Sequence, residues 1–333
     1  MTGAIAVVGA GSWGTALAAT WARSEKTVRL WCRRSELAES MRRTRQNPDY
    51  LPGVSIPPSV EIDESIEQIV SGASIVVLAA PSHVYRSVLA ELAPSVRPET
   101  IFVSAAKGIE NDTLMRMSEV TRDVFRSAFT PRFAALSGPT FAPEVARGEP
   151  AAVVIASNDA RLRARLQQEL STPRFRLYTN ADTVGVEMGA AAKNIIAIAA
   201  GVTEGLGLGS NTTAALITRG LAEITRLAVA CGGRRETLAG LAGLGDLALT
   251  SYGYLSRNRQ VGIALGQGRS IAEITAGMRM VAEGVKTTKS AVALAGALNV
   301  DMPIAAKMYA VLYEGLRPED AIDELMERKL REE

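Results

Sequence analysis

Short apolar runs, almost unbroken by polar residues, recur through the first half of the chain at residues 5–8, 28–32, 74–80, 101–104, 133–136, 152–156 and 175–178. A strand buried on both faces reads in this way, whereas a half-exposed strand alternates. The stretches between these runs carry helical patterns, so the alternation predicts a parallel βαβ sheet covered by helices on both faces. After Asn180 the strand pattern stops and only helices follow. The expected architecture is therefore α/β: an N-terminal doubly wound sheet over residues 1–182, then an all-helical domain over residues 183–333. The first helix of that second half, from residue 183 to about 202, is apolar nearly all round, which marks a helix buried on every side. Residues 47–58 hold four prolines and a glycine and read as a loop able to fold over a ligand.

The chemistry begins at the end of the first run. Gly9, Gly11 and Gly14 form GxGxxG between the run at 5–8 and a helix-forming segment from Thr15 to Trp21. That order is what dinucleotide binding requires. The first glycine permits a tight turn, the second lets a pyrophosphate approach the backbone, and the third lets the helix pack on the strand. The diphosphate then meets free N–H groups at the positive end of the helix. About 20 residues later, where an acidic residue normally grips the ribose 2′-hydroxyl of NAD, the second run ends in Arg33 and Arg34. Two guanidinium forks there suit the 2′-phosphate of NADP(H). NADP(H) is favoured and NAD(H) remains open, as does the reading that both arginines merely solvate a helix start.

Composition narrows the class without changing this picture. Thirty-seven basic and 35 acidic residues among 333 give a net charge of +2, too balanced for a dedicated nucleic-acid or membrane-surface protein. Cys32 and Cys231 lie far apart with no CxxC or metal-ligand spacing, so reduced thiols and no metal site are expected. The N-terminus enters the first strand directly, and no run reaches the ~18 apolar residues of a membrane span. The expectation is a soluble, cytoplasmic protein.

Four further places carry candidate chemistry. Lys107 follows the run at 101–104, at the strand edge that faces the ligand crevice in such sheets. Lys193 interrupts the apolar helix, where an ammonium must be paired, ligand-facing or deprotonated, and where burial lowers its pKa toward proton exchange. Asp246 stands among small apolar residues and is a natural partner for Lys193. Ser256, Arg257 and Asn258 open a helix with the donors a phosphate dianion needs, though alone they are also an ordinary N-cap. His83, the single histidine, lies near the same edge but lacks an obvious carboxylate partner and reads as a solvated or capping residue.

These motifs resemble a known family. Gly9 to Gly14 with Ser12 and Trp13, SAAKGI at 104–109, SGPTFAPEVA at 137–146, AAAKN at 190–194, GLGDL at 243–247, SRNR at 256–259 and VAEGVKTT at 281–288 occur in the order found in bacterial NAD(P)-dependent glycerol-3-phosphate dehydrogenases. The resemblance covers essentially the whole chain. It implies that Lys193 is the proton acceptor in the oxidation direction. It also implies that Lys107, Gly138, Thr140, Asp246, Ser256, Arg257 and Asn258 hold the substrate with Lys193. By the same resemblance Ser12, Trp13, Arg33, Arg34, Lys107, Ala142, Arg257, Val281 and Glu283 line the cofactor beside the glycines. Reduction of dihydroxyacetone phosphate to sn-glycerol 3-phosphate for phospholipid synthesis, and a homodimer, are what the family leads one to expect. Lys286 stands where relatives often carry glutamate. Two other readings share parts of the pattern: a β-hydroxyacid dehydrogenase would keep the Lys-Asn helix but take a carboxylate substrate, and a non-enzymatic NADP(H) sensor would not need Lys193, Lys107 and Asp246 together.

Overall fold

The computed structural model describes residues 3–277 and 282–329. Its strands are β1 (Ile5–Val8), β2 (Val28–Trp31), β3 (Gln46–Asn47), β4 (Leu51–Ser55), β5 (Glu61–Asp63), β6 (Ile75–Leu78), β7 (Ile101–Ser104), β8 (Arg132–Ser137), β9 (Ala151–Ala156) and β10 (Phe175–Asn180). Eight of them form one sheet in the order β10-β9-β8-β7-β6-β1-β2-β5. The chain winds outward from β1 through β2 to β5, then returns to β6 on the other flank of β1. That reversal opens a crevice beyond the carboxyl ends of β1 and β6, the place where ligands bind in such sheets. All pairs in this sheet are parallel except β8 with β9, which runs antiparallel.

Each face of the sheet carries its own core. Leu17, Trp21, Leu30, Val77, Val103 and Phe175 lie in the core on one face, and Trp31, Val76, Leu78, Tyr85, Phe102 and Phe125 in that on the other. The two-faced burial explains why these strands read as unbroken apolar runs. The stretch 47–58, expected to be a loop, instead contributes most of the antiparallel hairpin β3–β4, and β5 follows it as an edge strand. The prolines misled because Pro52 sits in a two-stranded ribbon, where a missing ladder donor is tolerated. Long-range contacts then hold the segment. Arg45 donates to the carbonyls of Pro58 and Val60, and the buried Asn47 bonds to the glycine loop.

From Thr183 onward the described residues are helical. The helix Thr183–Gly205 is the axis about which the helices Ser210–Ala230, Asp246–Tyr252, Arg257–Gly266 and Glu283–Ala297 pack. By length and mean hydropathy alone it is apolar enough to cross a membrane, although Glu187 and Lys193 break any continuous apolar run. Yet 89% of that window is buried within the chain, so protein covers its apolar surface. The closest approach is to the helix Arg257–Gly266. A Cβ at Gly262 would lie 1.9 Å from the Ile198 carbonyl oxygen, and one at Gly201 would lie 2.0 Å from that of Arg259. Only backbone fits there. Gly262→Ala is therefore expected to cost about 3 kcal/mol, the upper range for overpacking, read as a lower urea midpoint at unchanged m-value. This seam sets the Ser256–Asn258 segment beside Lys193 and Asn194.

A second joint ties the helical half to the helix Met117–Phe125, which covers one face of the sheet. The buried carboxylate of Glu187 accepts hydrogen bonds from Ser118 N at 2.8 Å and Ser118 Oγ at 2.6 Å, with Arg116 at 3.3 Å. Burial pushes this carboxyl up to about 7 against the pull of Arg116 and the Ser118 donors. The joint fixes the first turns of the helix that bears Lys193 against the start of the helix Met117–Phe125, in the half of the chain that bears Lys107.

Candidate active site

Two of the three glycines in the turn are demanded by the protein's own backbone. Gly9 has φ +117°, and a Cβ there would meet the Ala79 backbone at 3.1 Å. A Cβ on Gly14 would lie 1.9 Å from the Gly9 carbonyl oxygen. Both positions are closed by the protein itself. At Gly11 a Cβ would meet no protein atom within 4 Å, so nothing in the fold itself demands glycine there. The helix Ser12–Ala22 begins there with no side-chain cap, so its first N–H groups have no side-chain acceptor, the condition under which a helix N-terminus takes a diphosphate. The buried indole N–H of Trp13 has no hydrogen-bond partner among the described residues, and its ring packs in one cluster with Ala142.

Arg33 and Arg34 are not equivalent. Arg33 is exposed and makes no hydrogen bond or ion pair among the described residues. Arg34 donates to the carboxylate of Asp49 and lies 5.3 Å over the ring of Tyr50. Tyr50 in turn accepts a hydrogen bond on its carbonyl from the Ser12 hydroxyl. Sequence reasoning passed over Asp49 and Tyr50, because nothing local shows that the hairpin folds back onto the end of β2.

At the carboxyl ends of β7 and β8 the two halves of the chain meet in one charged cluster. Asp246, fully buried, accepts hydrogen bonds from Lys193 Nζ on one oxygen and from Lys107 Nζ at 2.7 Å on the other. Ser137 Oγ adds a third donor at 3.3 Å. Lys193 also donates to Thr250 Oγ1 at 2.6 Å, and that hydroxyl donates to the Asp246 carbonyl at 2.6 Å. Lys107 reaches the Gly138 carbonyl at 3.2 Å, which the Thr140 hydroxyl also meets at 3.2 Å. Gly138 itself needs to be glycine, with φ +149° and Val153 Cα 2.9 Å from any Cβ. Thr250 was legible in principle: it lies four residues after Asp246 on one helix face.

Two lysines and one carboxylate leave a surplus positive charge in a poorly solvated place. Burial lowers the Lys193 ammonium to about 7; Asp246 opposes that shift and Lys107 adds to it. Burial alone would raise Asp246, but Lys107 and Lys193 outweigh it and hold its carboxyl below the ordinary range. Glu283, at the start of its helix, is raised by burial against the pull of Arg257, Lys107 and Lys193.

The phosphate-donor trio is only partly free. Ser256 caps its helix by accepting from Arg259 N at 3.3 Å, which leaves its own O–H available. Arg257 is exposed and makes no hydrogen bond or ion pair among the described residues. Asn258 donates to Asn194 Oδ1 at 3.0 Å and accepts from Gly284 N at 3.0 Å, so it ties three helices together and keeps one amide N–H. Asn194, next to Lys193, carried no signal of this pairing in the sequence. His83 is exposed in the turn Ser82–Val84, and partial burial and then Lys286 lower its pKa. Among the described residues it pairs with no carboxylate. Val281 lies outside the described residues.

A GxGxxG turn at the carboxyl end of β1 and a buried lysine–aspartate–lysine cluster at the carboxyl ends of β7 and β8 are the parts of a nicotinamide-dependent dehydrogenase. The family NAD-dependent glycerol-3-phosphate dehydrogenase N-terminus matches residues 4–163, and its C-terminus counterpart matches residues 182–323. The chain belongs to this family. It is 54% identical to the glycerol-3-phosphate dehydrogenase [NAD(P)+] of Koribacter versatilis over 97% of each chain. To the enzyme of the same name from Geobacter sulfurreducens it is 52% identical, over 100% of this chain and 99% of that one. The crystal structure of glycerol-3-phosphate dehydrogenase from Coxiella burnetii superposes with a TM-score of 0.94 at 38% identity, covering 98% of this chain and 99% of the other.

Proposed function

We propose that this protein reduces dihydroxyacetone phosphate to sn-glycerol 3-phosphate with NADPH, NADH serving as well. In this reading residues 1–182 bind the dinucleotide and residues 183–333 bind the substrate. The observation that carries it is the Lys193–Asp246–Lys107 cluster, assembled from both halves at the mouth of the crevice. A nicotinamide held there would supply the hydride for C2 of the substrate carbonyl. Lys193 protonates the alkoxide oxygen that develops there, and Lys107 stabilises the same charge before the proton arrives. Asp246 orients both ammonium groups and Thr250 fixes the rotamer of Lys193. Arg257 and the Ser256 hydroxyl, with the remaining Asn258 N–H, hold the substrate phosphate, and that remote binding energy positions the carbonyl. Gly9, Gly11, Gly14, Ser12, Trp13, Ala142 and Glu283 border the dinucleotide, with Arg33 at its 2′-phosphate. The reading places the enzyme in the cytoplasm, supplying the glycerol phosphate from which phospholipids are built.

The discriminating assay is NADPH oxidation with dihydroxyacetone phosphate beside a panel of 2-keto acids. Turnover confined to the phosphate substrate is expected. Preference for a keto acid would move the protein to a β-hydroxyacid dehydrogenase, and no turnover at all would favour a sensor. Arg257→Ala is expected to raise KM for dihydroxyacetone phosphate at least tenfold and lower kcat as well, since the lost contact is charge-assisted and also orients the carbonyl. Wild-type kcat/KM in this variant would return Arg257 to a helix start.

The pH dependence follows from the lowered Lys193. Reduction needs the protonated amine, so its kcat falls as pH rises through about 7, while oxidation of glycerol 3-phosphate needs the neutral amine and rises over the same interval. Profiles of kcat in both directions check this; parallel profiles would exclude Lys193 as the group that exchanges the proton. Gly11→Ala completes the test of the cofactor site. Because its Cβ meets no protein atom, the variant should melt like wild type yet bind NADPH at least tenfold more weakly, a loss of about 1.4 kcal/mol.

A further inference from the structure

The sequence offers no carboxylate at the end of β2, but the fold supplies one. The turn that joins β3 to β4 is pinned to the glycine loop at both ends. Asn47, fully buried, donates to the Ala10 carbonyl and to Thr15 Oγ1, each at 2.9 Å, and its Oδ1 accepts from Tyr50 N at 3.1 Å. On the far side the Ser12 hydroxyl donates to the Tyr50 carbonyl. Asp49 lies between these two anchored residues. Its side chain, 33% exposed, accepts a hydrogen bond from Arg34, whose guanidinium is stacked over Tyr50. The carboxylate therefore stands beside the position at which the ribose 2′ substituent of a dinucleotide arrives after this strand.

We propose that Asp49 sets the choice between the two nicotinamide cofactors. With NAD(H) its carboxylate accepts the ribose 2′-hydroxyl, the part an acidic residue at the strand end plays in NAD-binding sheets. With NADP(H) the same carboxylate opposes the 2′-phosphate twice, by its charge and by its hold on Arg34. Arg33, which has no partner among the described residues, is then the cation first available to that phosphate, and Arg34 joins only when Asp49 lets it go. A site built in this way accepts both cofactors, and Asp49 limits how far it favours NADP(H). The inference rests on the cofactor reading given above and adds to it a residue from a hairpin outside the βαβ units.

Direct binding tests it without turnover. Kd for NADPH and NADH is measured by nucleotide fluorescence on the full chain for the wild type, Asp49→Asn, Asp49→Ala and Arg33→Ala. Removing the charge at Asp49 is expected to strengthen NADPH and weaken NADH, so that the ratio of the two constants moves about tenfold toward NADPH in both variants. Arg33→Ala is expected to weaken NADPH about tenfold and leave NADH within twofold. If Arg33→Ala behaves so while neither Asp49 variant moves the ratio, Asp49 is only an anchor for Arg34; the inference falls and the cofactor reading stands. If Arg33→Ala weakens both cofactors equally, the phosphate lies elsewhere and both fall. A shift of the Asp49 variants toward NADH also overturns the proposal.

Discussion

Asp246→Asn is expected to stop turnover and to destabilise the fold at once. The carboxylate is fully buried between two ammonium groups, with Lys107 at 2.7 Å from one oxygen and Lys193 bonded to the other. Asparagine keeps the shape but removes the single negative charge of the cluster. Breaking a buried ion pair by removing one partner typically costs about 3–5 kcal/mol, because the remaining charge is left uncompensated. Lys193 has an escape. Its ammonium is already lowered to about 7 by burial, and without Asp246 it falls further, so at neutral pH the variant holds the neutral amine. The stability deficit relative to wild type should therefore grow as pH falls below about 7, where wild type carries a charged Lys193 that the variant cannot accommodate. Above that pH both folded forms hold the neutral amine and the deficit levels off. The same deprotonation removes the proton donor for reduction, so kcat is expected to drop by about 10²–10⁴. Urea unfolding at pH 6 and pH 8.5, with steady-state rates on the same samples, reads both effects. A variant as stable and as active as wild type would show that Asp246 only fills space.

Legibility from the sequence depended on whether a residue's meaning is local. Strands buried on both faces appear as apolar runs, so the main sheet could be traced except for β5, whose three residues Glu61, Ile62 and Asp63 carry too little pattern. Gly9 and Gly14 are demanded by contacts within their own turn, and a lysine in an otherwise apolar helix signals itself. Pairing across the chain left weaker traces. Asp246 could be matched to Lys193 by chemistry, but its other partner, Lys107, is 139 residues away and only the folded sheet brings it there. Asp49 and Asn258 show the same limit from two directions. Asp49 reads as one polar residue in a proline-rich loop until the hairpin is docked on Ala10 and Thr15. Asn258 reads as a phosphate ligand and nothing more, and only the fold shows that its amide also joins Asn194 and Gly284. The antiparallel β8–β9 pair was equally hidden, since strand direction is fixed by the connection and not by the run itself.

Lys193→Met is expected to separate folding from chemistry, and it bears on the centre of the account. Methionine is unbranched and apolar and fills irregular core space well, so the helix Thr183–Gly205 should stay packed; Asp246 keeps Lys107 as its counter-ion. The glycine turn and Arg33 belong to the other half of the chain, so NADPH should bind as in wild type. What is lost is the group that hands a proton to the alkoxide, worth about 10²–10⁴ in rate, and with it one of the two cations that face the developing charge. The measurement is kcat for NADPH-dependent reduction of dihydroxyacetone phosphate by this variant, taken beside its melting temperature and its Kd for NADPH. The account predicts wild-type melting, wild-type NADPH affinity and a kcat at least ~10²-fold lower. A variant that melts and binds NADPH like wild type yet reduces dihydroxyacetone phosphate within ~10-fold of it, below the effect of a lost general acid, would contradict the assignment of Lys193 as the proton donor.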